Sequence, residues 1–115
     1  MTKDELHAAA MALPGTVLDI KWGADHCYCV GGKMFCATDP DYSNLGFKAT
    51  EIAFEALTST GRAKPSKYLA RAHWLNIEDL ASQDAAEVAD WLKTAHGLVA
   101  AKLTRKRRAE LGLAV

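Results

Sequence analysis

The 115-residue chain has no long hydrophobic run, no excess of either charge and no even set of cysteines. No apolar stretch approaches the roughly 20 residues that cross a bilayer. The N-terminus lacks a basic segment leading into an apolar one, so we expect neither a membrane association nor a targeting segment. Fourteen Lys and Arg balance fourteen Asp and Glu. This balance excludes a long-range field that would draw the whole molecule onto nucleic acid, so any such binding must come from a local patch.

The three cysteines fall within one short segment, at Cys27, Cys29 and Cys36. An odd number in one place is not the framework of a secreted disulfide-stapled domain, and it is typical of a reducing compartment. We therefore expect a cytoplasmic location. The length and the half-hydrophobic composition predict one domain over residues 1–115. We also expect a monomer that holds no cofactor.

Helical and strand patterns alternate in an order that is typical of an α+β fold. Thr2 and Glu5 match a capping box, and Pro14 with Gly15 ends the helix that follows. The predicted elements are this helix, strands over 16–22, 27–30, 33–36 and 45–48, a helix over 50–57, a strand over 74–77 and a helix from Ser82 or Asp84 to Leu103. Residues 63–67 are expected to be a polar connection. Strands grouped between helices predict a two-layer sandwich, an antiparallel sheet with helices packed on one face.

Gly31 and Gly32 stand between two short apolar runs, which is a strong signal for a tight β-hairpin. With the two glycines as the loop, the expected pairs are Val30 with Lys33, Cys29 with Met34, Tyr28 with Phe35 and Cys27 with Cys36. This register predicts a face of sulfur atoms, formed by Cys27, Cys29, Met34 and Cys36. The bulkier set, Tyr28, Val30 and Phe35, is expected to face the helices.

Several short motifs in a fixed order resemble the MmcQ/YjbR family. They are Leu13-Pro-Gly15, Lys21-Trp-Gly23, Val30-Gly-Gly-Lys-Met-Phe35, Phe47-Lys48, the loop with Pro65 and Tyr68, His73-Trp74, and the late helix with Leu98-Val99 and Lys102-Leu103. The match runs from Thr2 to about Arg108. The resemblance implies a frataxin-like (CyaY-like) arrangement of a curved antiparallel sheet with helices on one side. It also implies a DNA-binding protein with a double-wing arrangement of strands, and it brings no catalytic residues.

Cations at the predicted strand ends and loops can form the local patch that nucleic acid requires. We expect weak, salt-sensitive DNA binding in which lysines and an arginine contact phosphates and aromatic rings shape the surface. The residues of this candidate site are Lys21, Trp22, Lys33, Lys48, Lys67, Arg71, His73 and Trp74. The alternative is that the lysines keep the sheet soluble and the tryptophans belong to the core.

The densest positive stretch covers residues 102–108. It is either a further contact with an acidic partner or the solvated C-terminus of the last helix, where the helix dipole favours cations.

The cysteines provide a second functional hypothesis, because Cys27, Cys29 and Cys36 on one face can hold a soft ion such as Cu(I) or Zn. Their spacing matches no established zinc motif, and packing as small apolar side chains is the alternative. The second hypothesis is thus a protein-interaction or soft-metal-handling domain that uses the open sheet face. His26 cannot serve Cys27 as a base, since adjacent strand residues point to opposite faces. With no assembled acid, base and nucleophile, we expect no enzyme activity.

Overall fold

The computed structural model describes residues 1–21, 24–67 and 69–113, excluding the side chain of Arg71. In these ranges the helices are α1 (Lys3–Met11), α2 (Glu51–Ser59), α3 (Ala85–Ala100) and α4 (Arg105–Glu110). The strands are β1 (Thr16–Lys21), β2 (Asp25–Val30), β3 (Lys33–Thr38), β4 (Leu45–Lys48), β5 (Lys64–Pro65) and β6 (Trp74–Ile77). Short 3-10 turns cover residues 70–72 and 80–82.

The six strands form one antiparallel sheet in the order β1-β2-β3-β4-β6-β5. Helix α3 contacts β2, β3 and β4, and α1 contacts both β1 and α3. The core lies in this layer, where Tyr28, Phe47 and Leu92 are fully buried. The predicted α+β fold with helices on one sheet face is therefore confirmed. Within the described ranges, no helix combines the length and apolarity that crossing a membrane requires.

Side-chain caps set the starts of the helices as the sequence predicts. Thr2 and Glu5 form the reciprocal capping box of α1. The hydroxyl of Thr50 accepts from the N–H of Ala53, and Asp84 does the same for Glu87 at the start of α3. Each cap satisfies a backbone donor that the first helical turn leaves unpaired. Of the two predicted starts for the longest helix, Asp84 is the cap that the structure shows.

The β2–β3 hairpin has the predicted turn but only part of the predicted register. Val30 pairs with Lys33 and Cys29 with Met34, whereas Tyr28 pairs with Cys36 and Cys27 with Ala37. The predicted pairs Tyr28 with Phe35 and Cys27 with Cys36 are therefore wrong. Phe35 is the extra residue of a β-bulge, which allows Phe35 and Cys36 both to be buried in the helix-covered core.

Two further expectations require correction. Residues 64–65 are not only a connection, because they form β5 on the edge of β6. The basic run is not the C-terminus of the longest helix, because α3 ends at Ala100 and Thr104 caps the separate helix α4. The guanidinium of Arg108 folds back and donates to the carbonyls of Ala101 and Leu103. The segment after α3 is thereby fixed against the body of the protein.

Gly31 is the turn position at which we expect a substitution to be most destabilising. Both turn glycines have positive φ, +60° at Gly31 and +80° at Gly32, as a type I′ turn requires. A Cβ on Gly31 would lie 2.6 Å from Leu103 Cδ1, whereas one on Gly32 would meet open space. Gly31→Ala and Gly32→Ala should each cost about 1 kcal/mol for the left-handed backbone. In urea unfolding, Gly31→Ala should lower the free energy of unfolding by more than Gly32→Ala does. Equal decreases for the two variants would show that Leu103 moves aside freely.

Candidate nucleic-acid interface

The sheet face opposite α1 and α3, here called the open face, carries a cleft of about 730 Å³. Its floor includes Ala37 and Gly46, which pair across β3 and β4. The other lining residues are Asp25, Met34, Thr38, Asp39, Asn44, Ser66, Leu69, Trp74 and Asn76. The cleft therefore spans the middle of the sheet from β2 to β6.

The cleft exists because a glycine occupies the open-face position of β4. Leu45 and Phe47 on either side point into the core, so position 46 points to the other face. A Cβ on Gly46 would meet only ordinary contacts, 3.8 Å from the carbonyl oxygens of Ala37 and Leu75. The backbone thus tolerates a side chain at this position, and its absence leaves the floor open.

The walls of the cleft combine apolar surface with unpaired polar groups. Met34, Leu69 and Trp74 supply the apolar part. The side chains of Ser66 and Asn76 form no hydrogen bond with any residue that the structure describes. This combination of mostly apolar lining with a few convergent polar groups is typical of ligand sites.

Lys48 lies at the edge of the cleft, because it pairs with Trp74 across β4 and β6 and so shares its face. Its Nζ donates to the carbonyl of Ala72 at 3.0 Å. Partial burial lowers the pKa of Lys48 below its ordinary value, and the positive charge of Lys102 lowers this pKa further. Two cations that destabilise each other in this way would both be stabilised by a bound anion.

Three further lysines lie at the same end of the sheet as Lys48 or border this end. We call the set of four the basic end: Lys33, Lys48, Lys67 and Lys102. Lys33 is exposed directly after the hairpin turn. Lys102 is brought to this turn because its neighbour Leu103 packs against Gly31. Lys67 is exposed and follows Ser66, whose N–H donates to the carbonyl of Trp74.

Lys21 lies at the opposite end of the sheet, although the sequence groups it with the other lysines. It pairs with Asp25, and its Nζ lies 3.9 Å from the carboxylate of Asp19. Asp25 is five residues along β2 from Val30 at the hairpin turn, a separation of roughly 17 Å. Asp39 also lies at this end, so Lys21 has an acidic environment.

The remaining predicted site residues do not all lie at the cleft. Trp74 is only 6% exposed and forms a wall of the cleft, so it belongs partly to the core. His73 has a left-handed backbone, and its ring packs against Phe54 of α2 at a centroid distance of 5.3 Å. Trp22 and the side chain of Arg71 lie outside the described residues.

The predicted face of four sulfur atoms is not formed. The bulge turns Cys36 into the helix-covered core, whereas Cys27 and Cys29 lie on the other face, also buried. Burial raises the pKa of Cys27 to about 11 and raises those of Cys29 and Cys36 as well. A raised pKa disfavours the thiolate, which is the form that binds a metal. The described part of the chain contains no group of three His, Cys, Asp or Glu side chains placed to hold a metal ion.

His26 contacts a tyrosine instead of a cysteine. Its Nδ1 lies 2.9 Å from the hydroxyl of Tyr42, which lies 2.7 Å from that of Tyr28, which in turn lies 2.9 Å from Nδ1 of His7 on α1. Lys3 lies over the ring of Tyr42. This chain of hydrogen bonds joins α1 to β2 and to the loop after β3.

Sequence reasoning missed two features of this surface. Lys102 was predicted only as part of the basic run, either a contact with an acidic partner or a solvated helix C-terminus, because its position near the hairpin turn depends on how Leu103 packs on Gly31. Gly46 did offer a signal, since a glycine within a strand pattern often marks the close approach of another group. Asn76 lies between the core residues Leu75 and Ile77 in β6. This alternation predicts that Asn76 lies on the open face, but it does not predict that a cleft is present there.

The fold and this surface define a class, an α+β protein whose open six-stranded antiparallel sheet has helices on one face and a cleft on the other. The YjbR family model matches residues 11–98, and the chain belongs to the YjbR family. Among solved structures, the Deinococcus radiodurans protein DR2400, which has the family domain DUF419, superimposes with a TM-score of 0.85 at 24% identity. The match covers 98% of this chain and 89% of that one. A search of the curated proteins found no match.

Proposed function

We propose that this YjbR-family chain is a non-enzymatic nucleic-acid-binding protein, and that the basic end contacts phosphates. The observation that carries the proposal is the placement of Lys33, Lys48 and Lys102 at one end of the sheet, where Lys48 borders the cleft and Leu103 packs against the hairpin turn. Phosphate binding by lysines releases counterions, which provides binding energy that needs no particular base sequence. The cytoplasmic location expected from the cysteines belongs to the same proposal.

The charge distribution limits which residues take part. The whole chain has no net charge, so affinity must come from the basic end and should be weak and strongly dependent on salt. Lys33 and Lys67 extend the basic end on either side of Lys48. Lys21 is removed from the proposed contact set, because the carboxylates of Asp19 and Asp25 beside it repel phosphate.

Charge reversal at the basic end provides the test. We expect Lys48→Glu with Lys102→Glu to weaken DNA binding at 50 mM salt about tenfold or more and to reduce the salt slope by about two. The measurement is fluorescence anisotropy with labelled single- and double-stranded oligonucleotides over 50 to 200 mM salt. The matched control, Lys21→Glu with Lys93→Glu, changes the net charge equally, because Lys93 is an exposed residue of α3.

The control pair should retain most of the wild-type affinity. Equal losses in both pairs would mean that only net charge matters, and the assignment to the basic end would be wrong. Absence of wild-type binding at 50 mM salt would refute the proposed function itself.

A protein-interaction role is the second candidate, and edge strand β1 favours it. One side of β1 is unpaired in the sheet, and Val17 and Ile20 on it are 61% and 51% exposed. Such an edge can add a strand from a partner. In that case Val17→Lys with Ile20→Lys would abolish partner binding and leave DNA binding unchanged.

A further inference from the structure

We infer that the cleft binds one unpaired nucleobase of a single-stranded nucleic acid. This inference rests on the proposed function and adds to it the class of ligand. The phosphates would lie on the basic end while one base enters the cleft. The argument uses the shape of the cleft, its unpaired polar groups and the position of Lys48.

The cleft has room for a flat heteroaromatic ring and a largely apolar lining. Its volume of about 730 Å³ lies within the range of small-molecule sites. Gly46 leaves the floor open, and the ring of Trp74 stands beside it, with Cε3 at 4.0 Å from where a Cβ of residue 46 would be. Met34 and Leu69 complete an apolar surround. An apolar surface of this kind can pack on the face of any base, because every base has an apolar face.

The polar groups in the cleft match the edge of a base rather than a phosphate. The amide of Asn76 offers a donor and an acceptor, and the hydroxyl of Ser66 offers the same pair. Asp25 at the far side supplies a carboxylate, which repels phosphate and accepts from exocyclic amino groups. The hydrogen-bonding edge of a base is occupied by its partner in a duplex, so the ligand must be unpaired.

Lys48 places a phosphate contact at the right distance from the cleft. Lys48 and Trp74 are paired residues of neighbouring strands, and such pairs lie about 5 Å apart. A single nucleotide can therefore place its base in the cleft beside Gly46 and its phosphate near Lys48. Asp25 and Asp39 line the other side of the cleft and repel phosphate, which favours a base that enters with its phosphate toward Lys48.

Free nucleosides test the cleft without any phosphate. Adenosine, cytidine, guanosine and thymidine are titrated into the wild-type chain, and the amide shifts of Ala37, Gly46 and Asn76 are followed by NMR. We expect saturable binding, strongest for nucleosides that carry an amino group. Gly46→Val should weaken this binding about tenfold or more, because the valine fills the floor on which the base packs.

Gly46→Val should leave the fold intact, since its Cβ makes ordinary contacts and valine favours strands. The matched control is Gly97→Val on α3, which adds the same atoms where a Cβ meets open space. Thermal melting of both variants verifies that they fold. Nucleoside binding that is absent in the wild type, or equal in Gly46→Val and the wild type, would overturn the inference.

An abasic oligonucleotide distinguishes this inference from the proposed function. It carries the phosphates without the bases, so we expect it to bind more weakly than a matched oligonucleotide with bases and to be insensitive to Gly46→Val. If both oligonucleotides bind equally, the basic end binds phosphate and the cleft inference is wrong. If neither oligonucleotide binds while nucleosides do, the proposed function is wrong and the cleft remains a base site.

Discussion

Phe47→Ala is expected to lower the free energy of unfolding by about 3–5 kcal/mol. Phe47 is 1% exposed, and its ring stacks on Trp91 of α3 with centroids 5.3 Å apart and planes within 6°. Truncation removes this stack between β4 and α3 and leaves a cavity in the core. Because small domains are stable by only about 5–15 kcal/mol, a large part of the stability should be lost.

Urea unfolding followed by circular dichroism measures this change. The control is Ile52→Ala on α2, where the side chain is 84% exposed and its loss should change the free energy by about 0.5 kcal/mol or less. A loss of under about 1 kcal/mol for Phe47→Ala would show that the Phe47–Trp91 stack is not a main contact between the layers.

Stability is expected to fall steeply above about pH 9. Three thiols and the hydroxyl of Tyr28 are buried, and burial raises the pKa of each of them. Cys27 has a pKa of about 11, against 9.0 ordinarily. A raised pKa of this kind contributes its full stability below pH 9, and that stability is lost as the pH rises toward 11. Cys27 alone should account for about 1 kcal/mol of the loss at pH 10, and the other groups act in the same direction.

The measurement is the urea unfolding free energy at pH 7, 8, 9 and 10 with a reducing agent present. Cys27→Ala serves as the comparison, because it removes one titrating group and should reduce the loss between pH 7 and 10 by about 1 kcal/mol. A free energy that stays constant up to pH 10 in the wild type would contradict the prediction.

The local parts of the fold are those that the sequence predicts well. Thr2, Thr50 and Asp84 cap helices through contacts that reach only three residues along the chain, so their patterns are complete in the sequence. The turn at Gly31 and Gly32 is similar, because positive φ at two successive residues almost demands glycine. Val30 and Lys33 pair next to this turn as expected.

The features that the sequence does not predict depend on contacts between residues that are distant in the chain. The bulge at Phe35 is favoured because it buries Phe35 and Cys36 together under α3. A register that is counted outward from the turn takes no account of the free energy of this burial. Lys48 and Lys102 are 54 residues apart in the sequence, and Leu103 packing against the hairpin brings them together. The candidate site was therefore predicted in its residue types, and in part in its members, but not in its arrangement.

The chain His7–Tyr28–Tyr42–His26 has a consequence for the two imidazoles at its ends. Its three hydrogen bonds need three protons, and the two hydroxyls supply only two. At least one histidine must therefore donate from Nδ1, and when both hydroxyl hydrogens are used within the chain the other histidine accepts there. In that arrangement the tautomer of His7 on α1 is coupled to that of His26 on β2. Exchanging the donor and acceptor roles of the two imidazoles requires both hydroxyls to rotate and both rings to change tautomer.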